Sequence, residues 1–247
     1  MSEGEGAELP MNFREAIDAV ERERKTLVVY GGDSNTDLAE QFETKNVTVK
    51  YKRLRSVGPN EFLVIRDEDG FQGAIGLTAL REFLTPPVLV PWHDDFDPSS
   101  FRDLRTLLDE TLFTSFDRRQ MLATSREIED RAWRIAVGSL HVGFQAFSAF
   151  QDQMDLYRRL ALETNLDIHI YGRADWQPPR IPNTTFCART AGEIGQVWFL
   201  VYDGGGDDDQ KCALVAEERD DGEFFGFWTY NPTTVDELLD HLVETYG

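Results

Sequence analysis

Residues 197–218 read VWFLVYDGGGDDDQKCALVAEE. In an extended chain Val197, Phe199 and Val201 point to one side, and Trp198, Leu200 and Tyr202 to the other. Both sets are bulky and apolar, so this strand is expected inside a sheet covered on both faces. The run from Lys211 to Glu218 continues in kind. Asp203 to Gln210 then joins two neighbouring strands, and its glycines supply the positive φ angles of a turn. The expectation is a solvated hairpin tip. As a calcium loop it is poorly spaced, because Asp207, Asp208 and Asp209 are consecutive and the glycines precede them. As a phosphate loop it lacks the closing Gly-Lys-Ser/Thr. No metal is expected here.

The charge of the whole chain supports that reading. Its 247 residues carry 45 Asp and Glu against 25 Lys and Arg, a net charge of -20, with the acids spread over nearly every segment. Such a surface suits a halophilic cytoplasm, where carboxylates hold water and keep the protein dispersed, and where low salt would destabilise the compact state. Acid is therefore background and weak evidence for a metal. The same balance excludes nonspecific nucleic-acid binding, which needs a basic footprint. Lys50, Lys52, Arg53 and Arg55 form the one basic cluster, read as bases on a solvated strand. The polar, acidic start MSEGEGAELP has no secretory pattern, and no apolar run is long enough to span a membrane. Cys187 and Cys212 are expected as reduced thiols. The expected setting is cytoplasmic.

Along the chain, residues 1–10 are expected to be disordered. Asn12 and Glu15 form a capping box ahead of a helix with Phe13, Ile17 and Val20 on one stripe. Strands follow at 26–32 and 47–51, with a small helix at 36–43 between them. A hairpin spans 61–76 through DEDG, and a helix covers 77–84. Residues 85–99, rich in Pro and Asp, read as a linker. The middle is helical, from Ser99 or Ser100 to about Leu112 and again over 117–136, where positions 121, 125, 128, 132 and 135 share a face. A strand at 139–145 and a helix at 150–164 come next. Strands at 167–173, 184–189, 197–202, 211–218 and 223–230 follow. A last helix takes Thr234 and Glu237 as its capping box. The fold class is thus α/β, with mixed β-sheets flanked by helices. The outer thirds resemble each other in element order, which suggests two pseudo-repeated α/β units joined by a helical middle. The units are placed at 11–98 and 99–247. In this repeat TLVVYGG is matched with DIHIYGR.

Catalytic signatures are sparse. His93, His141, His169 and His241 are far apart in sequence and form no ligand motif. There is no GxSxG elbow and no GxGxxG after the first strand. YGGDSN (30–35) and YGRADW (171–176) each place Gly and then Asp after a strand, read first as a plain strand-to-loop turn, with the border of a ligand crevice as the alternative. Arg126, Glu129 and Trp133 share a helix face, with a surface ion pair as the simplest reading. Gln145 is polar within an apolar strand and needs partners if buried. Trp198, Phe225, Trp228 and Tyr230 suit core packing or an apolar pocket.

The strings SREIEDRAW (125–133), VGFQ (142–145), YRRLA (157–161), DIHIYG (167–172), VWFLVYD (197–203) and FFGFWTYNP (224–232) occur in an order that resembles the DICT sensory domain family. The resemblance covers about residues 115 to 240, and the acidic form looks like its haloarchaeal branch. It implies a sensory input domain, for light or another cue, and not an enzyme. The positions it carries over are Arg126, Glu129, Phe144, Gln145, Trp198, Trp228 and Pro232. Without Pro232, and with Trp133 and Tyr230 added, these make the candidate ligand-binding set. No cofactor is expected, a noncovalent chromophore or small ligand being left open. Neither cysteine is followed by histidine, as a linked bilin would favour. No output segment is visible, so the partner is expected to be a separate protein, with self-association allowed. The alternatives are a ligand-free interaction scaffold and, third, a cryptic enzyme using Glu129 with the YGxxD loops.

Overall fold

A computed structural model describes residues 12–22, 25–31, 47–53, 61–67, 70–78, 92, 109, 113–189, 192–220 and 222–247. The start at 1–10 expected to be disordered, the expected helix at 36–43, the linker at 85–99 apart from Trp92, the helix at 99–112 apart from Asp109 and most of the helix at 77–84 lie outside the described residues.

Helix α1 (Phe13–Arg22) starts as its sequence dictates. Asn12 N donates to Glu15 Oε2 at 3.0 Å, and Glu15 N donates to Asn12 Oδ1 at 3.0 Å. Then come β1 (Lys25–Gly31), β2 (Val47–Arg53), β3 (Phe62–Asp67) and β4 (Gly70–Gly76). They form a mixed sheet in the order β2-β1-β3-β4, with β1 and β2 parallel and the other pairs antiparallel.

The second sheet takes β5 (Phe113–Phe116), β6 (Val137–Ala146), β7 (Asn165–Arg173), β8 (Thr184–Ala188), β9 (Val197–Tyr202), β10 (Cys212–Asp220) and β11 (Glu223–Thr229). Their order is β5-β11-β10-β9-β6-β7-β8. Strands β6, β7 and β8 run parallel, and the remaining neighbours are antiparallel. Strand β5 has no counterpart among the expected elements. All six residues of β9 are buried, so the strand is covered on both faces as its sequence demands.

Between these strands lie α2 (Arg118–Ile135), the short α3 (Phe147–Phe150), α4 (Met154–Glu163) and α5 (Pro232–Tyr246). Helix α5 starts earlier than expected. Its cap is Asn231, whose Oδ1 accepts from Thr233 N at 3.0 Å with Pro232 in the first turn, in place of the Thr234–Glu237 box. Proline fits there because its missing N–H would go unused in a first turn.

The two sheets repeat one topology, but by a different correspondence from the one the strings suggest. The order β7-β6-β9-β10 has the same pairing senses as β2-β1-β3-β4. The counterpart of β1 is therefore β6, which follows a helix as β1 does, and not β7. The shared Tyr-Gly ending of β1 and β7 marks where a strand meets a loop and carries no information on its place in the sheet.

One face of the larger sheet carries Leu140, Val142, Trp198, Leu200 and Leu214. It joins Ile128 of α2, Leu156 and Leu160 of α4, and Leu27, Val29, Leu63 and Ile65 of the smaller sheet in one continuous core. The other face carries Phe199, Val201, Val215 and Phe227, and it is covered by α1 and α5 through Phe13, Ile17, Val235 and Leu238. The first helix thus packs on the last-formed sheet.

Candidate functional site

Helix α2 sits at the centre of the site. Asp117 caps it in a full capping box with Gln120, with bonds of 2.8 and 3.0 Å. The spacing of its apolar positions predicts one buried face, yet every residue from Ala123 to Ala132 is buried. Five of these are ionisable: Arg126, Glu127, Glu129, Asp130 and Arg131. Buried charges persist only when paired and hydrogen-bonded, and each of these has a partner, although Arg126 Nε and Arg131 Nε are buried without one. Arg126 pairs with Glu129 and also donates to Gln153 Oε1. Tyr157 Oη of α4 donates to Glu129 Oε1 at 2.5 Å. Arg131 pairs with Glu127 at 3.3 Å and donates to Asp209 O at 3.3 Å. Tyr230 Oη donates to Glu127 Oε2 at 3.0 Å, while its ring lies 4.8 Å from the Arg131 guanidinium. Arg134 closes the series on Asp130 at 2.7 Å. The Arg126–Glu129 pair is thus a buried pair, not a surface one.

Electrostatics follow from this burial. Burial works against the Arg126 charge, but Glu129 outweighs it and the guanidinium titrates above its ordinary value. Burial, then Glu129, pushes the Tyr157 phenol well up. Tyr157 is therefore a donor at any working pH. Tyr157→Phe is expected to cost about 1.5 kcal/mol, since a buried carboxylate loses one donor, and chemical denaturation will read it.

The glycine-aspartate loop proves to be more than a solvated tip. Asp207, Asp208 and Asp209 are exposed as expected, but Gly204 is buried and Asp203 turns inward. Asp203 Oδ2 accepts from Ser139 N and Ser139 Oγ, each at 2.9 Å, and Oδ1 accepts from Gly205 N at 2.8 Å. The loop thereby clamps the junction of α2 and β6. Gly138, at φ +102, lies so close that a Cβ there would stand 2.2 Å from Asp203 Oδ1. Asp203→Ala is expected to cost about 2 kcal/mol, because three donors lose a charged acceptor, and should shift the denaturation midpoint without changing its slope.

On the sheet face away from α2, the chain brings together groups that are distant in sequence. His141 and His169 occupy paired positions on parallel β6 and β7, with rings stacked 4.4 Å apart. His141 Nδ1 shares a hydrogen bond of 2.9 Å with Tyr171 Oη, and His169 Nε2 lies 3.2 Å from Asp167. Burial, then the neighbouring His169, lowers the His141 pKa to about 4. Burial likewise raises the Cys187 and Cys212 thiols, so neither is an activated nucleophile. Both cysteines are free.

Gln145 ends β6 in the left-handed region, at φ 58, where the β6–β7 register shifts. Its Nε2 donates to Glu218 Oε2 at 3.1 Å and to Gln196 O at 3.3 Å, so the polar residue finds its partners at the sheet's end. There it lines a cleft of about 400 Å³ with Arg14, Gln196, Glu217 and Arg219. The cleft adjoins a second of about 440 Å³, lined by Arg14, Glu193, Glu217, His241 and Tyr246 among others.

The expected site residues therefore divide. Arg126 and Glu129 meet at Tyr157, whose ring lies 5.6 Å from that of Phe144. Trp198 is the cross-strand neighbour of Phe144, and it and Trp228 are buried in the same core. Trp133 is half-buried, 5.3 Å from Trp92 between ring centroids. Tyr230 serves the Glu127–Arg131 pair, and Gln145 belongs to the cleft. Asp175 is exposed and holds Ser148 N at 3.0 Å at the start of α3, a setting unlike that of buried Glu129. YGGDSN lies mostly outside the described residues. Tyr157 and Gln153 were not singled out, although Tyr157 opens the string YRRLA. The histidine stack left no signal, because only the parallel register creates it. Among the described residues no His, Cys, Asp and Glu group could hold a metal ion, and no helix is long and apolar enough to cross a membrane.

Residues 99–219 match the family model described as DICT, "Sensory domain in DIguanylate Cyclases and Two-component system". No curated protein matches. Among solved structures, the crystal structure of polyphosphate kinase from Porphyromonas gingivalis is similar at 10% identity and a TM-score of 0.39, over 92% of this chain and 47% of that one. This chain thus spans about half the length of that protein, and a likeness so low carries no argument.

Proposed function

We propose, from the premise that residues 99–219 belong to the DICT family of sensory domains, that this chain is a signal-input protein of the cytoplasm. It detects a small molecule or a light-linked cue and passes the response to a separate protein. One observation carries the reading. The middle of helix α2, from Ala123 to Ala132, is buried on all sides, and its charges are tied to α4, the segment before α4, the β9–β10 loop and the residue after β11. A shift of α2 is felt by all four. A cue acts on such an element only by binding one arrangement better than another. In this reading Arg126, Glu129, Trp133, Phe144, Trp198, Trp228 and Tyr230 form the responsive core, and Gln145 links it to the cleft.

The test is to purify the protein in molar salt, record its absorbance, and follow its melting temperature with small-molecule fractions of the native host. A visible band, or a fraction that raises the melting temperature, supports the reading. Absence of both refutes it. A ligand-free scaffold is favoured by the close packing around α2. It predicts partner capture at high salt that is indifferent to those fractions.

A further inference from the structure

We propose that the double cleft at the carboxyl ends of β6 and β10 binds a small organic anion, one that carries a carboxylate or phosphate group. The proposal rests on the sensory reading above and names the chemistry of its ligand. It lies where the carboxyl ends of β6 and β10 meet the segment that enters β9, with Gln145, Gln196 and Glu217 to Arg219 in its lining. The two lobes share Arg14, Gln196 and Glu217, so they form one groove, and each lobe is of ligand size.

The carboxylates of this groove are already engaged. Glu193 Oε1 accepts from Tyr246 Oη at 3.0 Å and is bonded to His241 Nε2, while Oε2 accepts from Phe13 N at 3.3 Å. Glu217 Oε1 accepts from Arg14 at 2.7 Å and Oε2 from Arg219 at 3.4 Å. Glu218 Oε1 accepts from Gly222 N at 3.0 Å and Oε2 from Gln145 at 3.1 Å. Every carboxylate oxygen therefore has a donor of the protein's own, and a cation would have to displace one.

The unengaged capacity consists of donors. Arg14 uses one Nη on Glu217, and its side chain is 69% exposed. Among the described residues Arg219 hydrogen-bonds through Nε alone, its guanidinium lying 3.5 Å over the Phe225 ring with the Nη edge left over. Among the described residues the side-chain amide of Gln196, which lines both lobes, has no partner. Two guanidinium forks and an amide facing one groove match the planar or tetrahedral oxygens of a carboxylate or phosphate, for which arginine is the fitting cation. Arg173 steadies the floor: its Nε donates to Gln145 O at 3.3 Å, and it packs against Gly195, where a Cβ would meet its Cδ at 3.2 Å. An anion seated there touches the left-handed Gln145, the residue after Phe144 of the buried core.

The experiment titrates the full chain with citrate, inorganic phosphate and glycerol at constant ionic strength in molar potassium chloride. Melting temperature and calorimetric binding are the readouts. Citrate or phosphate should bind saturably and raise the melting temperature by about 5 °C at a hundredfold excess over Kd, and glycerol should not. Kd should rise at least tenfold in Arg14→Gln and in Arg219→Gln, both exposed enough to change without unfolding, and stay unchanged in Arg158→Gln, whose partner Asp155 is exposed. The preferred anion decides between a carboxylate and a phosphate source. No saturable shift with either anion, or an equal shift in the cleft variants, overturns the assignment. Host fractions that stabilise wild type and the cleft variants equally would overturn the cleft while leaving the sensory reading standing.

Discussion

Replacing Glu129 by alanine is expected to destabilise the protein by about 3–5 kcal/mol, the cost of leaving a buried partner charge uncompensated. Arg126 is only 6% exposed, and Glu129 is its counter-charge. The same change leaves Tyr157 Oη without its acceptor. For a chain of this length the loss corresponds to a fall in melting temperature of about 8–15 °C. The double variant Glu129→Ala/Arg126→Met removes both charges and should recover a large part of the loss, since buried pairs replaced by apolar groups are often near neutral. The recovery measures the coupling of the pair. A single-variant loss below about 1 kcal/mol would mean that the pair is solvated and that α2 is not the buried centre described above.

The second large effect is one of pH. His141 is 4% exposed, and burial, then His169, holds its folded pKa at about 4 against an ordinary 6.5. Asp203 and Asp167 pull the other way and do not overcome burial. Between those values the unfolded chain binds a proton that the folded chain refuses. The contribution is therefore fully present above 6.5 and is lost as pH falls from 6.5 towards 4. Its full size is about 3 kcal/mol, from the two pKa values at 1.36 kcal/mol per unit. The many carboxylates titrate over the lower part of the same range, so the measurement is a difference. Denaturation free energies of wild type and His141→Gln should diverge in slope between pH 6.5 and 4, the variant being flatter by up to one proton. Parallel curves would show that His141 is not held neutral by the fold.

Much of the architecture was legible because it rests on local rules. Asn12 and Glu15 announce α1, and the unbroken apolar run of β9 announces a strand covered on both sides. The site was less legible for a physical reason. Five ionisable residues in SREIEDRAW read as a solvated face, because periodicity scores polarity and cannot see which charges will meet partners. Their partners, Tyr157, Tyr230 and the carbonyl of Asp209, lie between 28 and 103 residues away from the groups they serve. The resemblance to a known family did mark Arg126 and Glu129, although not their burial. His141 and His169 are adjacent only because β6 and β7 run parallel in one register. Asp203 resembled its exposed neighbours in composition, and only the backward fold of the glycines onto Ser139 distinguishes it.

The placement of α1 has a consequence for how the chain is made. Phe13 and Ile17 cover a sheet face and a helix that the ribosome supplies only after residue 197. At ordinary synthesis rates that helix waits on the order of 10–40 s for its docking surface. Its greasy stripe is the segment that a chaperone would shield during the delay. A nascent chain released early would be open to aggregation at that stripe, and cutting the gene between the two sheets would yield two fragments, each lacking a wall that the other holds.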